Sequence, residues 1–339
     1  MALTVASVVL IAATYGMARF GVGLLYPQMV RAQPGLEGGL RPAGTAQFAS
    51  YCVAVLVGGH LSRSHARAVA WVAGLSAGTG CLGLLMAQSP LPFTAAAFVA
   101  GSGAGLASPA LVPLLDRAVP TRWAGPAQAA VNSGTAIGLV LSGGLALATT
   151  SATTPWVMTA FVCVAAGSAV ALLGPAAPPS PPRRQDAAGS PGLRPMVVPF
   201  TLAMGAGGVT AYIWTYGPSV IVQRSLFTSG DIGWLWLVVG LGGVLGLLTS
   251  QLVERIGPLG AFMLSAGGIG AATAGVVLTA TPGVALLSLA LFGACYMAMS
   301  STLILWARDL QPSNSGQATA WLFLALALGQ AMGAAMTSP

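Results

Sequence analysis

Apolar residues run along this chain in long continuous stretches, broken by short polar or Pro/Gly pieces such as Gln88-Ser89-Pro90 and Thr281-Pro282-Gly283. A bilayer-spanning helix needs roughly 20 predominantly apolar residues. On that measure the chain divides into eleven spans: 3–27, 43–61, 68–88, 91–115, 126–148, 155–174, 196–221, 232–253, 259–280, 283–306 and 316–337. Within each stretch the apolar character does not alternate at period two, so the spans are expected to be helices and not the strands of an outer-membrane barrel. The expected fold is an all-α polytopic bundle. The N-terminus lacks a basic leader, and its apolar stretch continues well past residue 11, so it reads as a first span and not a cleaved signal.

One break differs from the rest. Residues 175–195, PAAPPSPPRRQDAAGSPGLRP, are too rich in proline and polar residues to span or to pack a core. They divide the chain into an N-terminal half (1–174, spans 1–6), a linker (175–195) and a C-terminal half (196–339, spans 7–11). Six spans against five suggests that a twelfth is missing, while an eleven-span form stays open.

Composition explains what covers such a chain. Of its 339 residues 55% are hydrophobic and only 6% charged, with a mean hydropathy of +0.82. A soluble domain carries roughly 25% charged residues, so lipid must cover most of this surface. The basic excess is all arginine, scattered singly or in pairs, and this excludes the concentrated footprint of a nucleic-acid binder. Arg63, Arg67, Arg117, Arg122, Arg183, Arg184, Arg194, Arg255 and Arg308 fall on the linker side, against Arg31, Arg41 and Arg224 opposite. The positive-inside rule then puts the N-terminus and linker in the cytoplasm, with the chain in a bacterial-type cytoplasmic (inner) membrane.

Candidate chemistry is sparse. Cys52, Cys81, Cys163 and Cys295 lie far apart, and the histidines, His60 and His65, share one loop. No metal site, cofactor, nucleotide loop or catalytic constellation is expected, and the chain is not expected to be an enzyme. The one charge deep in a span is Arg19. A charge at the bilayer centre costs at least about 2.5–3.5 kcal/mol, so Arg19 either lines a central pathway and attracts an anionic or carboxylate-bearing small molecule, or caps a helix break or snorkels outward. Polar pairs one helical turn apart offer further lining: Tyr15 with Arg19, Gln47 with Tyr51, Gln128 with Asn132, and Tyr212 with Tyr216, with Trp214 between the last two. Interhelical hydrogen bonding, or an interfacial belt for the aromatics, is the alternative for each.

The halves echo one another. Tyr15-Gly16-Met17-Ala18-Arg19-Phe20 then Pro27 in span 1 is matched by Tyr212-Ile213-Trp214-Thr215-Tyr216-Gly217 then Pro218 in span 7. Gly58 through Arg67 after span 2 is matched by Gln251 through Gly257 after span 8. With the six-helix half, linker and second half, the chain resembles the major facilitator superfamily of transporters. Gly58, Arg63 and Arg67 fit that family's loop signature, with Ser62 where its acid is expected; Glu254-Arg255-x-Gly257 keeps the acid, and Gly134, Gly138, Gly143 and Gly144 resemble its glycine-rich fifth span. The span 1 string resembles the YbfB/YjiJ-type branch.

The resemblance implies a secondary active or facilitative carrier of a small molecule, working by alternating access. A non-transporting membrane sensor or assembly partner is the alternative. Gates are expected at Asp116 with Arg63 or Arg67 in the first half, and at Glu254/Arg255 and Arg308/Asp309 in the second. A coupling proton is also implied, although no mid-span carboxylate supplies a relay.

Overall fold

The computed structural model describes residues 1–149, 151, 153–176 and 194–336, so most of the 175–195 linker lies outside the described residues. Every expected apolar segment is helical. α1 (2–32) is regular over Ala2–Ile11, widens to a π-helix over Ala12–Arg19 and is regular again over Phe20–Ala32. Leu40–Met86 is one helical run bent at His65 (φ −128°, ψ 33°), whose arms are α2 (40–64) and α3 (66–86). α4 (Pro90–Ala118), α5 (Thr121–Ala148), α6 (Thr153–Leu173) and α7 (Arg194–Gln223) follow. A second run is bent at Gly257 and gives α8 (232–256) and α9 (258–278). α10 (Pro282–Leu310) and α11 (Ser315–Met336) complete the described chain.

Among the described residues eight stretches are long and apolar enough to cross a membrane, and 40–86 and 232–278 are each 47 residues long. A straight helix of that length reaches about 70 Å, more than twice a bilayer's hydrocarbon thickness. Both runs therefore have to turn back, and the packing shows that they do. Gln47, Tyr51 and Gly58 of α2 meet Gly101, Gly105 and Pro109 of α4, rising together, whereas Gly83, Gly80 and Ala73 of α3 meet Ala96, Ala100 and Gly103 in reverse order. α2 and α3 are thus antiparallel. Likewise α8 and α10 both run antiparallel to α5, through Gly233 on Gly143, Gly246 on Ser133 and the Asn132 bond to Ser300, while Gly275 on Ser288 and Gly268 on Cys295 set α9 against α10.

The bends differ in cause. Gly257 sits at φ +74°, a left-handed conformation that glycine adopts without cost, and Pro258 follows as the first residue of the next arm. The helix before His65 was expected to give way to a loop after residue 61. Instead the helix carries on through Ser62, which is buried, and turns at His65.

Small residues hold the helices close. A Cβ on Gly138 of α5 would collide with the α1 backbone at Ala12 and Gly16, so the π-helical stretch lies directly on α5. Outside, the bundle is apolar: Leu91, Phe161, Leu172, Leu278 and Leu287 are each at least 70% exposed. In water such a surface would aggregate; in lipid it is the solvated face.

The two halves meet along two seams. α5 packs on α8 and α10, and α2 and α4 pack on α11, where Gly59 touches Ala320 and Gly316 touches Pro109. Between the seams is the space that the polar residues line.

Candidate functional site: a chamber between the halves

The chamber is lined by Tyr15, Arg19 and Phe20 of α1, Tyr51 of α2, and Asn132 and Thr135 of α5. Tyr296, Met297 and Ser300 of α10 and Phe323, Leu326, Ala327 and Gln330 of α11 close it from the other half. Its volume is about 20 Å³, room for little more than one water. This conformation is therefore closed around its own lining.

Arg19 lies among aromatic faces. Its guanidinium carbon is 4.3 Å from the ring centre of Tyr51, 4.9 Å from Phe48, 5.8 Å from Phe20 and 5.9 Å from Tyr15. Such cation–π contacts are worth about 2 kcal/mol or more when desolvated. No carboxylate pairs with it among the described residues; the one ion pair is Asp116–Arg308, at the end of α4 and α10. The cage is built by hydrogen bonds behind it. The Tyr15 hydroxyl donates to the Tyr51 hydroxyl at 3.1 Å and bonds the Ser108 hydroxyl at 2.8 Å, which fixes both rings.

Toward the linker-bearing end, the Asn132 amide donates to Ser300 Oγ (2.7 Å) and Ser301 Oγ (2.8 Å) and reaches the Met297 carbonyl at 3.3 Å, joining α5 to α10. Deeper at that end, Arg308 Nε meets Asp116 Oδ1 at 2.7 Å, and Ser315 Oγ donates to Asp116 Oδ2 at 2.9 Å. Arg63 Nη1 lies 3.4 Å from Gln317 Oε1. On the far side of Arg19 the seam is aromatic. Phe20 stacks on Trp214 (4.3 Å, 15°), Trp214 stacks on Trp236 (5.5 Å, 17°), and Tyr296 and Phe292 meet Trp214 edge-on.

The expected site residues thus separate into groups. Arg19, Tyr15, Tyr51 and Asn132 share the chamber, and Trp214 roofs it by touching Phe20 and Tyr296. Gln128 is buried elsewhere, its amide donating to the Val112 carbonyl of α4 at 3.1 Å. Gln47 is buried against Gly101 of α4. Tyr212 and Tyr216 pack on each other at 5.9 Å, away from the lining.

The expected partners of Asp116 also change. It pairs neither with Arg63 nor with Arg67 but with Arg308 of the opposite half, while Arg67 Nε donates to the Ala171 carbonyl and Arg117 reaches the Arg63 carbonyl. Glu254 and Arg255 are both exposed beside the second bend. Tyr296 and Gln330 were missed, although both are polar residues inside apolar spans, the same signal that selected Tyr15 and Asn132. Gln330 ties Tyr296 to Thr210 through bonds of 3.4 and 3.3 Å.

A family model described as Major Facilitator Superfamily matches residues 8–334. Among solved structures the chain is similar to FucP, a Major Facilitator Superfamily transporter in the outward conformation, with a TM-score of 0.67 and 16% identity over 98% of this chain and 90% of that one. It is similar also to the human organic anion transporter MFSD10 (TETRAN), with a TM-score of 0.68 and 15% identity over 98% and 92% of the two chains. At these identities the likeness is one of fold. No curated protein matches the chain.

Proposed function

The chain belongs to the major facilitator superfamily, and from that premise we propose that it carries a small organic anion across the membrane by alternating access between its two halves. Arg19 carries this reading. It is an arginine facing an inter-half chamber, set over aromatic rings and with its charge unmatched by any carboxylate of the described chain. A guanidinium presents N–H donors in a planar fork that suits a carboxylate bidentately. Tyr296, Phe323 and Leu326 opposite favour an anion with an apolar body. The arginines at the linker-bearing end support placing that end in the cytoplasm, with the protein in the cytoplasmic (inner) membrane. Within the superfamily, the Tyr15–Phe20 string followed by Pro27 supports the YbfB/YjiJ-type branch.

In this cycle the Asp116–Arg308 pair and Ser315 latch the linker end. Opening toward the cytoplasm breaks them and keeps the aromatic end closed. Opening outward separates Phe20 from Trp214 and keeps the latch. Arg19 moves with α1 and presents the anion to either side. Coupling to a proton finds no mid-span acid to work through, so facilitated or exchange transport is the simpler mode.

The test is thermal unfolding of the purified full chain against a panel of carboxylates and their neutral amides. A carboxylate is expected to raise the midpoint where its amide does not, and Arg19→Gln is expected to weaken that binding about 10–100-fold, the worth of charged hydrogen bonds. Stabilisation by the amides alone, or equal carboxylate binding by Arg19→Gln, overturns the reading.

A further inference from the structure

A second concave site lies outside the chamber. At the linker-bearing end, the bend between α2 and α3, the end of α4 and the residues after α6 enclose a pocket of about 260 Å³, lined by Ser64, His65, Arg67, Leu114, Arg117 and Pro175. That size falls just under the range of small-molecule sites and suits a headgroup fragment.

Its charge is one-sided. Arg67 and Arg117 line it, Arg63 is adjacent through its carbonyl, which Arg117 approaches at 3.4 Å, and among the described residues no acid lines it. The loop position where the family's signature has an acid is Ser62, buried and with its hydroxyl unpartnered. The nearest carboxylate in sequence, Asp116, is drawn away to Arg308 and Ser315. Of the other acids among the described residues, Glu37 and Asp231 belong to the opposite end of the bundle and Glu254 and Asp309 to the other half, while Asp186 lies outside the described residues. The arginines are not saturated either. Arg67 spends Nε on the Ala171 carbonyl at 2.7 Å and Arg117 spends one Nη on Arg63, so each keeps further N–H donors. His65 Nδ1 is engaged by Ser64 Oγ at 2.7 Å, leaving Nε2.

Apolar side chains close in sequence to the lining residues face outward. Leu172 and Leu173, which end α6, are 79% and 49% exposed, and Trp71 of α3 is 44% exposed. A ligand seated here would have its charged group among arginines and its remainder over a lipid-facing surface. We propose that this pocket binds the phosphate of an acidic membrane lipid, bridging the first bend to α4 and α6. Basic pockets between helix ends on the cytoplasmic side are suited to such headgroups.

The test uses the full chain solubilised in neutral detergent and titrated with phosphatidylglycerol, phosphatidylcholine or inorganic phosphate. Retained lipid is counted by native mass spectrometry and thermal midpoints are read in parallel. Phosphatidylglycerol is expected to remain bound and to raise the midpoint, with phosphatidylcholine and inorganic phosphate inert. Joint Arg67→Gln and Arg117→Gln is expected to weaken retention about 30-fold, and Arg122→Gln, an exposed arginine at the same end, is expected to leave it unchanged. If the double variant does not fold, Arg117→Gln alone, at an exposed side chain, is expected to give about a fivefold loss. Equal retention by Arg117→Gln, an equal loss on Arg122→Gln, or stabilisation by inorganic phosphate matching that by phosphatidylglycerol each overturns the proposal.

Discussion

The seam between the halves closes differently at its two ends. At the linker end the closure is polar and directional: Asp116 meets Arg308 and Ser315, and Asn132 meets Ser300 and Ser301. At the far end it is a stack of rings, Phe20 on Trp214 on Trp236. Hydrogen bonds and ion pairs are lost steeply as their geometry opens, whereas stacked rings slide with little change in energy. The linker end should therefore behave as a two-state latch, and the ring end as a seal that yields gradually.

Three substitutions separate these behaviours, each read by thiol labelling of Ala327→Cys in the chamber, with the four native cysteines replaced by serine. Trp214→Ala has the largest expected effect, a loss of about 3 kcal/mol of stability, because a large ring contacting four others is removed. Labelling should rise from the far side only; equal labelling from both sides would show that the stack does not seal that end. Asp116→Asn comes next. The pair is about one-fifth exposed on each side, between an exposed pair worth little and a buried pair that costs 3–5 kcal/mol to break, so about 2 kcal/mol is expected. Labelling should rise from the linker side, and a charge swap of Asp116 with Arg308 should reverse it. The smallest effect belongs to Arg63→Gln. Its 3.4 Å contact with Gln317 is long and exposed, so a change under about 0.5 kcal/mol and unaltered labelling are expected. A large effect there would move the latch to α2 and α11.

Much of this arrangement was legible in the sequence. The continuous apolar runs located the helices because lipid leaves a backbone no partner but itself. The Gln251–Gly257 and Gly58–Arg67 loops marked the places where long helical runs turn. Arg19 stood out because a charge inside an apolar run demands compensation. Periodicity was less informative about which polar pairs share a cavity: Gln128 and Asn132 are one turn apart, yet one bonds α4 within its half and the other bonds α10 across the seam. A helix presents several faces to several neighbours, and one turn of spacing does not say which neighbour is met.

Composition and pattern alone determined a membrane-embedded helical bundle of two similar halves, with its positive charge gathered at one end and a single arginine deep among apolar residues. Those properties follow from local solvation, residue by residue. Only the tertiary structure decided that Asp116 answers to Arg308 and not to Arg63 or Arg67, that the deep arginine is met by rings instead of a carboxylate, and that Trp214 closes over it. Such pairings depend on which helix ends the packing of small residues brings together. That is a property of the whole bundle, carried by backbone contacts such as Gly59 on Ala320 and Gly316 on Pro109, and no stretch of the chain encodes it by itself.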